Sequence, residues 1–99
     1  MLNKLVKTYL GFSIKSGAVV IGQDRLKVTK DKIHLILYCA SGSQNLKDLA
    51  LRLAERYSCK AICVDDLEGY TSKQGCKLIG LTNNSLAEAI IKVAENEKI

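Results

Sequence analysis

The chain has 99 residues, 47% of them hydrophobic and 25% charged, a balance that excludes intrinsic disorder and fits one domain over residues 1–99. Its net charge is +5, and residues 1–32 hold seven basic groups against two acidic ones, while residues 33–99 hold eight of each. All the excess positive charge therefore lies in the first third, which points to a polyanionic partner.

From Leu2 to Ile14 the apolar residues Leu2, Leu5, Val6, Tyr9, Leu10 and Ile14 follow one helix face, with Lys4 and Lys7 off that stripe. Ser16-Gly17 predicts its end, because glycine accepts the left-handed cap conformation. Val19, Val20 and Ile21 are β-branched and predict a short strand. Gly22 opens a short helix to about Val28, and Ile33–Cys39 reads as a strand covered on both faces. After a loop over Ala40–Gln44, the stripe Leu46, Leu49, Ala50, Leu53, Ala54 and Tyr57 predicts a helix from about Asn45 to Ser58. Asp48 and Arg52 form an expected i,i+4 pair on its outer face. Ala61–Val64 is the next strand, Asp65-Asp66 cap a helical turn around Leu67–Tyr70, and Ser72–Gly75 is a loop. Cys76–Leu81 is a further strand, and Asn83 or Asn84 caps a last helix carrying Leu86, Ala87, Ile90, Val93 and Ala94. Alternating strands and helices predict an α/β fold with helices on both faces of a sheet.

Neither an enzyme nor a metal protein is indicated. Cys39, Cys59, Cys63 and Cys76 have no CxxC spacing, and His34 is the one imidazole, so no zinc-type ligand set exists and the cysteines are expected to be buried. His34 falls at the start of a core strand, and Asp65 and Asp66 fit helix capping better than paired-carboxylate chemistry. No P-loop, GxGxxG or HExxH pattern occurs. Lys4 and Lys7 interrupt any signal-peptide core, and the apolar runs are far below the roughly 20 residues that span a bilayer. A cytoplasmic protein with free thiols and no membrane partner is the expectation.

Charge and geometry meet in Gly17–Lys32. The first N–H groups of a helix opening at Gly22 lack intrahelical acceptors and can donate to a phosphate or a base edge. Gln23, Asp24 and Arg25 form its first turn, Lys27 and Lys30 follow, and Lys15 ends the helix before. Arginine can read a guanine edge with two hydrogen bonds, while lysines meet phosphates.

The stretch Leu10-Gly11-Phe12-Ser13-Ile14-Lys15-Ser16-Gly17-Ala18-Val19-Val20-Ile21-Gly22-Gln23-Asp24 resembles the ribosomal protein family of the "L-seven-Ae / L-thirty-e" type, most closely its small bacterial YlxQ/YbxF-like branch. Leu35–Asn45 is similar to that family's core strand and following loop, and Gly80-Leu81-Thr82-Asn83 to its last strand and helix cap. The resemblance implies a three-layer α/β/α sandwich with a central mixed four-stranded sheet. It also implies a non-catalytic, monomeric protein that binds a kink-turn or similar internal loop of structured, ribosomal-type RNA, without cofactor, metal or small-molecule substrate. Carried over by position, base contacts fall on Gly22, Gln23, Asp24 and Arg25, Lys15 matches a basic family position, and the usual downstream lysine is Lys27 or Lys30. Lys15, Lys27, Lys30 and Lys73 are the residues expected to neutralise phosphates. The family often has Asn-Glu where Asp24-Arg25 stand and an apolar loop where Ser72-Lys73-Gln74-Gly75 stands. Those departures support an alternative expectation, a protein–protein adaptor on the same scaffold.

Overall fold

A computed structural model describes residues 4–40, 42–64 and 77–96. In chain order the elements are α1 (Lys4–Lys15), β1 (Val19–Ile21), α2 (Gln23–Val28), β2 (Leu35–Cys39), α3 (Gln44–Arg56), β3 (Lys60–Val64), β4 (Leu78–Leu81) and α4 (Asn84–Asn96). The sheet order is β1-β4-β2-β3. Strand β4 is antiparallel to both β1 and β2, and β3 is parallel to β2. The sheet is therefore mixed, and β1, β2 and β3 all point the same way.

Period-two alternation along these strands builds two cores. Leu35, Leu37 and Cys39 of β2 join Ile79 and Leu81 of β4 on one face, under Leu10 of α1 and Ala87 and Ile90 of α4. Ile36 of β2 and Leu78 of β4 face the other way, under Leu26 of α2 and Ala50, Leu53 and Ala54 of α3. Helices thus cover both faces of one sheet, the expected α/β/α sandwich. Gly80 governs how closely α2 approaches: a Cβ there would sit 2.6 Å from Leu26 Cδ2 and 3.1 Å from Ile33 Cγ2.

Helix ends follow local chemistry. Gly17 takes a left-handed φ of 74°, while the Gly17 N–H donates to Ile14 O and the Ala18 N–H to Ser13 O, a Schellman closure of α1. The end of α3 repeats it without glycine. Ser58 has φ 55°, its N–H donates to Glu55 O, and the Cys59 N–H donates to Ala54 O. At the other helix ends, Ser43 Oγ accepts from the Leu46 N–H at the start of α3, and Asn83 Oδ1 accepts from the Leu86 N–H, which makes Asn83 the cap of α4.

Three expectations need adjustment. Strand β2 starts at Leu35, although the buried Ile33 and the His34 N–H, which donates to Leu81 O, still lean on the sheet. Asp48 Oδ1 accepts from Gln44 Nε2 at 3.0 Å, one turn earlier in α3, rather than pairing with Arg52. Burial holds for Cys39 but not for all the cysteines: Cys59 is half-buried and Cys63 is exposed, because β3 is an edge strand. Of these three cysteines, Cys63 is expected to react first with a thiol reagent at neutral pH, and Cys39 last. Burial pushes the Cys59 thiol up, which keeps it protonated and slow. Peptide mapping after brief alkylation checks this order, and label on Cys39 before Cys63 would contradict it. The turn at Leu67–Tyr70 with its caps Asp65 and Asp66, the loop Ser72–Gly75 including Lys73, and Cys76 lie outside the described residues.

Candidate functional site

Because β1, β2 and β3 run in one direction, their carboxyl ends and the amino end of β4 share one edge of the sheet. Ligands of open α/β sheets bind beyond such carboxyl ends, where the connecting turns leave the sheet. The turn out of β1 depends on Gly22, whose φ of 97° disfavours any residue with a Cβ. Its N–H donates to Leu78 O at 3.0 Å, which extends the β1–β4 ladder by one bond, and its carbonyl accepts from the Leu26 N–H. The Gly22 amide, expected from sequence to be offered to a ligand, is therefore taken up by the sheet instead. Gln23, Asp24 and Arg25 occupy the first turn of α2, all exposed, and no side chain caps it. Their N–H groups lack intrahelical acceptors.

Opposite this turn stands the first half of α3, and between the two lies a groove of ≈ 900 Å³. Its α2 wall carries Gln23, Asp24, Arg25 and Lys27, and its α3 wall carries Asn45, Leu46, Leu49 and Arg52. Ile21 and Gly22 from the end of β1 and Leu78 from β4 complete it with Ser43 and Lys77. Lys77 is held at the rim by its own carbonyl, which accepts from the Cys39 N–H at 2.8 Å. Among the described residues the lining thus contains the cations Arg25, Lys27, Arg52 and Lys77 and the carboxylate of Asp24. Three stretches of chain, far apart in sequence, contribute that charge.

Of the residues expected from sequence, Gly22, Gln23, Asp24, Arg25 and Lys27 come together here. Lys15 does not join them. It ends α1, which packs on the opposite face of the sheet. Lys30 follows α2 at its far end and is not part of the lining either, and Lys73 lies outside the described residues. Arg52 and Lys77 are the additions. Arg52 reads in sequence as the partner of Asp48, and with Asp48 bound to Gln44 its side chain lines the groove. Lys77 has no local signal, since its position follows only from the β2–β4 register.

Among the described residues no group of three or more His, Cys, Asp or Glu side chains is placed to hold a metal ion. Nor is any helix there long and apolar enough to cross a membrane. The groove instead offers exposed amides, guanidinium groups and ammonium groups, chemistry suited to an extended anion.

The fold has a solved counterpart. A Bacillus halodurans protein of unknown function matches with a TM-score of 0.78 over 93% of this chain and 97% of its own, at 13% sequence identity. Likeness at that identity concerns the fold alone, since one scaffold hosts many functions. Neither a family model nor a curated protein matches the sequence. What the chain does must therefore be read from its own side chains.

Proposed function

We propose that this chain is a non-catalytic, cytoplasmic RNA-binding protein of the ribosomal kink-turn-binding type, which takes a distorted stretch of structured RNA into the groove between α2 and α3. The observation that carries the reading is the convergence of Arg25, Lys27, Arg52 and Lys77 around the exposed first turn of α2. Regular A-form RNA hides its base edges in a deep, narrow groove, whereas an internal loop widens that groove and exposes them. A short helix end such as Gln23-Asp24-Arg25 can enter there. Arg25 would read a guanine edge, Gln23 and Asp24 offer shorter polar arms, and Lys27, Arg52 and Lys77 neutralise phosphates.

Ultraviolet crosslinking in cells, followed by sequencing of the bound RNA, tests the reading. Crosslinked reads are expected to concentrate at internal loops flanked by helices, and the crosslinked peptide is expected to come from the α2 segment. Recovery of protein partners that survive ribonuclease, with no enriched RNA, would favour the adaptor reading instead.

A further inference from the structure

Building on the RNA reading above, we propose that Tyr57 and Arg56, which lie outside the groove, are positioning residues that fix α2 in its binding orientation by capping its carboxyl end. Helix α2 has six residues, too few to persist without tertiary support. Only Leu26 among them is buried. The amino end is tied to the sheet through the Gly22 N–H and Leu78 O. At the carboxyl end, the last carbonyls of any helix lack intrahelical donors. Here the Thr29 N–H donates to Arg25 O at 2.8 Å. The next two carbonyls receive side chains from α3. Tyr57 Oη donates to Leu26 O at 2.6 Å, and Arg56 Nη1 donates to Lys27 O at 3.0 Å.

These two donors are neighbours in sequence and brace each other. The Arg56 guanidinium carbon lies 5.7 Å from the centroid of the Tyr57 ring, within cation–π range. A guanidinium at a helix carboxyl end also complements the helix dipole. Tyr57 is itself fixed because it is the C-cap residue of α3, followed by the left-handed Ser58. Since α2 and α3 form the two walls of the groove, this double cap sets their spacing, and with it the distance from Arg25 and Lys27 to Arg52. An α2 freed from the cap would have to be ordered again each time RNA binds, at a cost in affinity.

Tyr57→Phe keeps the ring and removes the donor. The test compares the wild-type chain and this variant with a kink-turn RNA and by amide hydrogen exchange. The expected result is a roughly three- to ten-fold loss of affinity, the order of one hydrogen bond, with the salt dependence unchanged because no phosphate contact is lost. Exchange at the Leu26 and Thr29 amides is expected to quicken by a similar factor while exchange within β2 stays constant. Arg56→Ala, at an exposed position, gives a second variant that does not threaten the core, and Arg56→Lys is expected to recover part of the loss. Unchanged exchange at Leu26 and Thr29 in Tyr57→Phe would overturn the positioning role, and so would quickened exchange with full affinity. A wild-type chain without affinity for the RNA would overturn the RNA reading, and this role with it, whatever the exchange shows.

Discussion

Leu26→Ala is expected to destabilise the protein by about 2–5 kcal/mol, the range for emptying a fully buried leucine site. Leu26 is 0% exposed and is the one buried side chain of α2. Its δ-carbon and the Ile33 side chain both lie against Gly80, so backbone closes the space on that side and cannot collapse far into the void. A chain of this size has a total stability of roughly 5–15 kcal/mol, so the substitution removes a large share of it. Urea titration followed by circular dichroism gives the value directly. The structure also predicts an asymmetry: α2 loosens before the sheet does, and RNA affinity falls at denaturant concentrations where β2 is still fully protected. A loss below about 1 kcal/mol would mean that α2 is not held by this contact.

The second large effect concerns how the groove divides its work. Arg25→Ala is expected to weaken binding by about 1–3 kcal/mol and to relax the preference for guanine at one position, as expected for a side chain that reads a base edge. Lys77→Ala and Arg52→Ala are expected to act differently. On the proposed reading each would remove one phosphate contact, so each is expected to weaken all RNA sequences alike and to make the dependence of log K on log salt shallower by roughly 0.7–0.9. The two classes separate cleanly when affinities for two RNAs differing at one base pair are measured across a salt series. Should Arg25→Ala change the salt slope but not the base preference, Arg25 would be a phosphate contact and the placement of the helix end would need to turn. Should Lys77→Ala and Arg52→Ala leave both quantities untouched, the groove would not be the binding surface.

Most of the scaffold is legible in the sequence because its signals are local. The β-branched run Val19–Ile21, the apolar stretch ending at Cys39 and the stripe from Leu46 to Tyr57 each carry their own periodicity. Gly17 marks the end of α1 as the structure has it. The exposure of Cys63 was not legible, because nothing in the sequence says that β3 lies at the sheet edge. The candidate site is only half readable for a related reason. Gly22 to Lys27 lie together in sequence and stay together in the groove. Lys15 and Lys30 also lie nearby in sequence, but α1 belongs to the opposite layer and Lys30 to the far end of α2. Arg52 and Lys77 reach the groove through the packing of α3 and the register of β4, which are long-range choices. The i,i+4 rule could not separate Gln44–Asp48 from Asp48–Arg52, since both have the same spacing, and the neutral donor is the one in place.

On the proposed function, an extended anion with exposed base edges occupies the groove between α2 and α3. Titration of a kink-turn RNA and of a fully paired duplex of the same length, between about 50 and 200 mM salt, tests it most directly. Three to five phosphate contacts predict a slope of log K against log salt of about −2 to −4, with the kink-turn bound more tightly than the duplex throughout. A flat salt response, or equal affinity for the two RNAs, would contradict it.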